Sequence, residues 1–152
     1  MGLNLKIEIT GDDETVRRLA KVGDSLDRMP EAMQEAGEYL RNFFAGEVFA
    51  SQGGVIGLPW PRLSVKTEAE KAKKFPGRPM LVRTGLMQRS FRSAYTDNTA
   101  RVFNIADYFK YHQSDLPRHK LPRRAMMELD EARQRAIGEI VRKGVMRKLE
   151  AL

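Results

Sequence analysis

The chain predicts an α+β fold: a small antiparallel sheet, a long central helix and a C-terminal amphipathic helix. Three patterns in the sequence carry that prediction. Apolar residues alternate with polar ones at Leu3, Leu5, Ile7 and Ile9, and Phe91, Ser93 and Tyr95 alternate with Arg92 and Ala94. This is the period of a strand with one face buried. Met33, Ala36, Leu40, Phe43, Phe44 and Val48 recur at three- and four-residue steps, which is helical spacing. From Glu128 onward Leu129, Ala132, Ala136, Ile140 and Leu149 lie near one helical stripe, with Ile137, Val141 and Val145 beside it.

Taken in order, the first strand is broken by Gly11. Asp12, Asp13 and Glu14 then place negative charge where a helix N-terminus is positive, ahead of Val16, Leu19, Ala20 and Val22 at helical spacing. Pro30 suits a first helical turn because its missing N–H would be unpaired there anyway. The helix it opens runs to Val48, about 20 residues and roughly 30 Å long. Between Ser51 and Pro61 the glycines and prolines predict a loop around the only tryptophan, Trp60, which reads as an anchor to the core or to a partner. Ser64 can cap a basic helix ending at Lys74, whose lysines read as a solvated face in preference to a DNA contact. After a turn-rich linker through Pro79, Thr84-Gly85-Leu86 reads as a helix start and leads into a hairpin. Its turn lies at Thr96 to Thr99, and its second apolar run is Val102 to Ile105. Tyr108 to Tyr111 crowds three aromatics into four positions, which predicts a segment pinned against a core. A basic loop follows to Pro122. Gly138 and Gly144 interrupt the last helix without abolishing its pattern.

At 152 residues, 41% of them apolar, the chain fits one domain over 1–152, with flexible loops at 51–61, 73–80 and 114–122 that can order when a neighbour arrives. The absence of cysteine excludes a disulfide scaffold and a thiolate metal site. The alternating N-terminal segment is not a signal peptide and no run approaches spanning length, so no membrane partner is expected and synthesis in the host cytoplasm is. The formal net charge is +7, but it is unevenly placed. Residues 1–58 hold six basic and ten acidic side chains, residues 59–125 fifteen and five, and residues 126–152 six and five. An acidic end and a basic middle suit head-to-tail contact between copies at least as well as a DNA groove.

Motifs for chemistry are missing. His112 and His119 have no H-E-x-x-H spacing, the serines form no G-x-S-x-G elbow, and Gly53-Gly54-Val55-Ile56-Gly57 lacks the lysine of a phosphate loop. Neither a cofactor, a metal nor a catalytic residue is expected.

The sequence resembles the bacteriophage virion morphogenesis, or tail-completion, proteins, which are similar to the tail-terminator and head–tail joining proteins of long-tailed phages. The resemblance runs from Phe43 to about Leu129. It is carried by Trp60-Pro61-Arg62-Leu63 with Thr67 and Lys71, by Leu81 to Ser90, by Tyr108 with His112-Gln113, and by Pro122-Arg123-Arg124. The chain departs from the family pattern at Ser114-Asp115 and at Ala125-Met126-Met127, where aromatics are common. The resemblance implies a small sheet packed on the long helix and a ring, hexameric, at the head-proximal end of the tail tube. It implies contacts with tail-tube and head-connector proteins and no catalytic residues. By the same resemblance Thr84 and Gly85 form the turn into the hairpin, and His112 bonds nearby backbone. Trp60, Lys71, Lys74, Arg83, Arg118, Arg123 and Arg124 are the candidate contacts to partners or neighbouring copies. The alternative is a basic nucleic-acid-binding protein using residues 66–74, 118–124 and the last helix, with non-specific DNA in the ring's lumen as an intermediate case.

Overall fold

The computed structural model describes residues 2–4, 27–114 and 121–151. The expected first helix over Asp12 to Val22, most of the first strand, and residues 115–120 of the expected 114–122 loop lie outside them. The elements in order are β1 (Gly2–Asn4), α1 (Pro30–Ala45), α2 (Glu47–Ala50), a 3-10 turn (Gly54–Ile56), α3 (Val65–Lys74), α4 (Leu86–Arg89), β2 (Phe91–Tyr95), β3 (Thr99–Asn104), α5 (Phe109–Gln113) and α6 (Glu131–Glu150). The strands form one sheet in the order β1-β3-β2. β1 runs antiparallel to β3, with Leu3 opposite Ala100. The fold class is α+β, as expected.

The chain divides into two compact units. The first takes Met1–Leu40, Ser93–Val102 and Glu131–Leu152, the second Arg41–Arg92 and Phe103–Asp130.

In the first unit α1 begins where its sequence says, with Pro30 in the first turn and Glu31 beside the positive helix end. The N–H of Met29 just before it donates to Asp97 O in the hairpin turn at 2.6 Å. Met29, Ala32, Met33 and Ala36 are buried, while Glu31, Gln34, Glu35 and Glu38 are exposed. The buried stripe packs with Ala100 of β3 and Ile140 of α6, and Tyr39, Ile137, Val141 and Val145 close around it. Small residues set the spacing. A Cβ added at Gly144 would stand 2.8 Å from Ala32 Cβ, and one at Gly37 would stand 3.3 Å from Ser93 Cβ. Helix therefore meets helix, and helix meets sheet, closer than side chains there would permit.

α6 starts at Glu131, three residues later than its apolar spacing suggested, and its buried stripe is rotated from the expected one. Ile140 and Gly144 are buried, while Ala132 is exposed and Leu149 is 41% exposed. The expectation weighted apolar residues and took glycine as a gap, whereas Gly144 faces α1 so closely that an added Cβ would stand 2.8 Å from Ala32 Cβ.

The second unit is built on aromatic rings. Phe91 lies 6.2 Å from Phe44, 6.3 Å from Phe49 and 5.6 Å from Phe109, and Phe49 meets Trp60 edge-on at 5.3 Å. Such tilted and T-shaped pairs are the arrangements that the ring quadrupoles favour. The single long helix expected to Val48 is broken at Gly46, whose φ of −103° and ψ of −83° are not helical. Its N–H still reaches Asn42 O at 2.9 Å, and a Cβ there would sit 3.0 Å from that same oxygen, so glycine permits the break. α2 resumes beyond it and buries Val48 and Phe49. Of the crowded aromatics, Phe109 joins the rings, whereas Tyr108 and Tyr111 are 41% and 42% exposed. The one-turn helix α5 turns successive side chains apart, so adjacency in sequence does not give a shared buried face.

Candidate functional site: a cation-lined groove in the second unit

Ser64 caps α3 as expected, its hydroxyl oxygen accepting the Thr67 N–H at 3.2 Å. Two turns on, Lys71 departs from the expected solvated face: it is buried, 8% exposed, and its ammonium donates to the carbonyls of Arg78, at 2.6 Å, and Pro79. Lysine serves here as a clamp. The linker reverses through Gly77 at φ +73° and Leu81 at φ +60°, and the two carbonyls presented inside that reversal are the ones the ammonium holds. A non-glycine residue in the left-handed region carries a local cost that such a clamp offsets.

The clamp leads the chain to Thr84 and Gly85. Gly85 adopts φ +81°, and the Thr84 hydroxyl accepts the Leu86 N–H at 3.3 Å, so the expected helix start forms as the single turn α4. Met87 is buried beneath it, and its carbonyl accepts the Asn104 side-chain amide at 2.7 Å. Ser90 Oγ donates back to Leu86 O, and Ile105 N–H donates to Ser90 O at 3.0 Å. The turn is thereby fastened to the hairpin that follows it.

A second set of bonds fixes the opposite wall. Arg124, 3% exposed, donates to the carbonyls of Pro61 at 2.9 Å and Arg62 at 3.1 Å, and its backbone N–H donates to His112 O at 3.0 Å. Trp60, 6% exposed, donates its indole N–H to Ala125 O at 2.7 Å. Gln113 completes the frame: its side-chain oxygen accepts the N–H groups of Met126 at 2.9 Å and Met127 at 3.0 Å. Residues 125–127, where the chain departs from the family's aromatics, are buried, Ala125 held by Trp60 and Met126 and Met127 by Gln113.

Between these walls lies a groove of about 600 Å³. Leu63, Phe75, Leu81, Leu86, Met87 and Tyr108 give it an apolar surface, and Lys71, Arg83 and Arg124 line it; among the described residues no carboxylate does. Desolvation holds the Lys71 ammonium below the ordinary lysine value of 10.5, and the neighbouring Arg83 charge pushes the same way. Burial likewise lowers Arg124. Both cations are hydrogen-bonded to backbone carbonyls, and neither takes part in the ion pairs of the described residues.

The structure therefore gathers most of the residues singled out in the sequence. Lys71, Arg83, Thr84, Gly85, His112 and Arg124 all line the groove. Their surroundings differ. Trp60, Lys71 and Arg124, expected among contacts to partners, are buried and bonded to their own backbone. Trp60 is an anchor to the core. Arg83 is exposed at the rim. Lys74 is also exposed and lies in a smaller recess of about 70 Å³ with Glu70 and Arg83. Arg123 is exposed, pairs with Glu128 at 2.7 Å and donates to Gln113 O at 3.1 Å. Arg118 lies outside the described residues. Gln113 and Asn104 were not anticipated as structural bonds; the only trace of either in the sequence is an amide beside an aromatic or apolar run.

Among the described residues, His, Asp and Glu form no cluster of metal-ligating geometry, and no helix is long and apolar enough to cross a membrane. Comparison with the curated proteins and with the solved structures returns no match to this chain. The family comparison does, and over a longer span than the motifs quoted above: its model matches residues 10–146, and the chain belongs to the phage virion morphogenesis family.

Proposed function

We propose that the protein completes or terminates a phage tail and joins it to the head, as a ring of its own copies. Family membership supports the coarser statement, a structural and virion-associated role in phage morphogenesis. The finer reading adds a hexameric ring in contact with tail-tube and head-connector proteins, the chain over 1–152 acting as one tail-completion domain. The observation that carries it is the groove: an open apolar surface with cations at its edge is suited to receiving another polypeptide. Light scattering of the purified protein, alone and with tail-tube subunits, tests it. A concentration-dependent oligomer that binds tubes is expected, and particles made without the protein carry detached tails. A strict monomer without affinity for tubes overturns it.

The nucleic-acid reading rests on one observation. Lys66, Lys73, Lys74, Arg78 and Arg83 are exposed, and none takes part in the ion pairs of the described residues, whereas Arg135 and Arg142 of α6 each face a glutamate. Salt-dependent, micromolar binding to arbitrary duplex DNA would place that reading first.

A further inference from the structure

The sheet ends in an open edge at β2, the outer strand of the order β1-β3-β2. Thr96 N–H donates to Thr99 O at 2.8 Å and Ile105 N–H to Ser90 O at 3.0 Å, which brackets the hairpin in one register. Bonded residues alternate along an antiparallel pair, so Arg92 and Ala94 turn their main-chain groups toward β3, whereas Phe91, Ser93 and Tyr95 turn theirs outward. Arg92 covers the first of these, its guanidinium donating to Phe91 O at 2.9 Å. Among the described residues no bond reaches the outward N–H and C=O of Ser93 and Tyr95. The strand carries neither the proline nor the lysine that commonly closes such an edge, and Ala94 and Tyr95 are exposed along it.

The register of β1 points to what that edge receives. β1 pairs Gly2 with Arg101, Leu3 with Ala100 and Asn4 with Thr99, and Thr99 is where β3 begins. Continued in that register, Leu5 would fall opposite Asn98 in the hairpin turn. The sheet of the same copy therefore offers the alternating run Leu5 to Ile9 no strand to pair with.

We infer that Leu5 to Ile9 of one copy add as a strand to the open edge of β2 in a second copy. Reach decides against the same copy. A position outside β2 is three strand spacings from Asn4, about 14 Å, and five extended residues span about 17 Å, so crossing the hairpin tip would leave no chain to run along the edge. Main-chain bonding selects the occupant. A row of alternating donors and acceptors is matched along its length by an extended polypeptide, whereas a helix uses its own main-chain groups internally and duplex DNA presents no such row. The side-chain alternation fits as well. Ser93 and Tyr95 lie on the sheet face toward α1, where Gly37 approaches Ser93, and Arg92 and Ala94 lie on the exposed face. An added strand with Leu5, Ile7 and Ile9 on the first face carries Lys6 and Glu8 on the second. Donor and edge are different surfaces, so the contact is heterologous, the kind that closes into rings. This joint rests on the ring reading.

The chain has no cysteine, so disulfide trapping in full-length protein reports the contact. Ala94→Cys in one variant is mixed with Lys6→Cys or Glu8→Cys in another, which excludes a bond within one copy. On oxidation at least one mixture is expected to give a cross-linked dimer, whereas Ala94→Cys mixed with Arg135→Cys, at an exposed position of α6, gives background only. Tyr95→Pro removes an outward N–H and leaves the bonds to β3 in place. With its circular dichroism unchanged, it is expected to self-associate about tenfold or more weakly than wild type in sedimentation. If the wild type assembles, no mixture cross-links above background and Tyr95→Pro assembles as wild type does, the strand inference is wrong and the ring reading stands. A disulfide within one copy of Ala94→Cys/Glu8→Cys, with none between copies, would put the run on its own edge and overturn the inference. Cross-linking of Ala94→Cys with Arg92→Cys would overturn it too, since it marks two β2 edges paired with each other. A wild type that is monomeric at every concentration, with tubes present, removes both readings.

Discussion

The two units hold their folds by different means. In the first, the core among the described residues is methionine, alanine and isoleucine drawn together by small residues, with Gly144 set closely against Ala32. In the second, rings fill the core, and the three buried polar side chains of the described chain, Lys71, Ser90 and Arg124, each bond a backbone carbonyl. A unit of helices and strands already satisfies its backbone through its own ladders, so shape complementarity suffices. A unit assembled from short turns leaves many carbonyls outside any ladder, and side-chain donors must reach them. The groove lies in the second unit because loops held by side chains can be kept apart, whereas packed helices close on one another.

That comparison can be broken by substitution. The largest effect is expected at Trp60→Ala, which removes both a ring contact and the bond to Ala125. A loss of about 3–5 kcal/mol in urea unfolding is expected, and Trp60→Phe should recover the part due to packing. Lys71→Met keeps the buried stem but not the clamp. It should cost about 1–3 kcal/mol and loosen the linker, read as faster amide exchange at Val82. If Lys71→Met proves neutral, polar anchoring is not what holds the second unit.

Gly144→Ala tests the first unit. An ordinary glycine in a helix interior gains about 1 kcal/mol on replacement by alanine, but here the new methyl would meet Ala32. Overpacking of about 1–3 kcal/mol should make the change net destabilising, whereas Gly138→Ala, with nothing within 4 Å of the added carbon, should stabilise. Equal effects at the two glycines, measured by thermal unfolding, would remove close approach as the organising feature. Smallest of all is Arg135→Ala. Its pair with Glu131 is exposed on one helix face, so no measurable change in Tm is expected.

Alkaline pH separates the units as well. Because the folded Lys71 pKa lies below 10.5, the unfolded chain binds more protons than the folded one between the lowered value and 10.5. Stability from this group therefore rises with pH across that interval, as the cost of burying a charge is relieved. Denaturation midpoints measured across it should show the rise in wild type and lose it in Lys71→Met. A rise that persists in the variant would point to another group.

Much of this was legible in the residues. The start of α1 at Pro30, the capped start of α3, the Thr84-Gly85 turn, the hairpin and the α+β class all follow from local rules: proline geometry, capping, left-handed glycine and period. The family could be identified in the same way, because the order and spacing of short motifs survive without any knowledge of contacts.

Long-range packing decided the remainder. Lys71 and Lys74 are three residues apart in the same basic helix, yet one is a buried clamp and the other is solvated. Nothing in their charge pattern distinguishes them, because the difference lies in two carbonyls that only the folded linker presents. Gly144 and Gly138 look alike until α1 is placed beside one of them. Composition and periodicity are local sums and determine which elements form. Which side chain meets which backbone group across tens of residues depends on how those elements close, and that is where the groove, its trapped cations and the exposed turn of α6 come from.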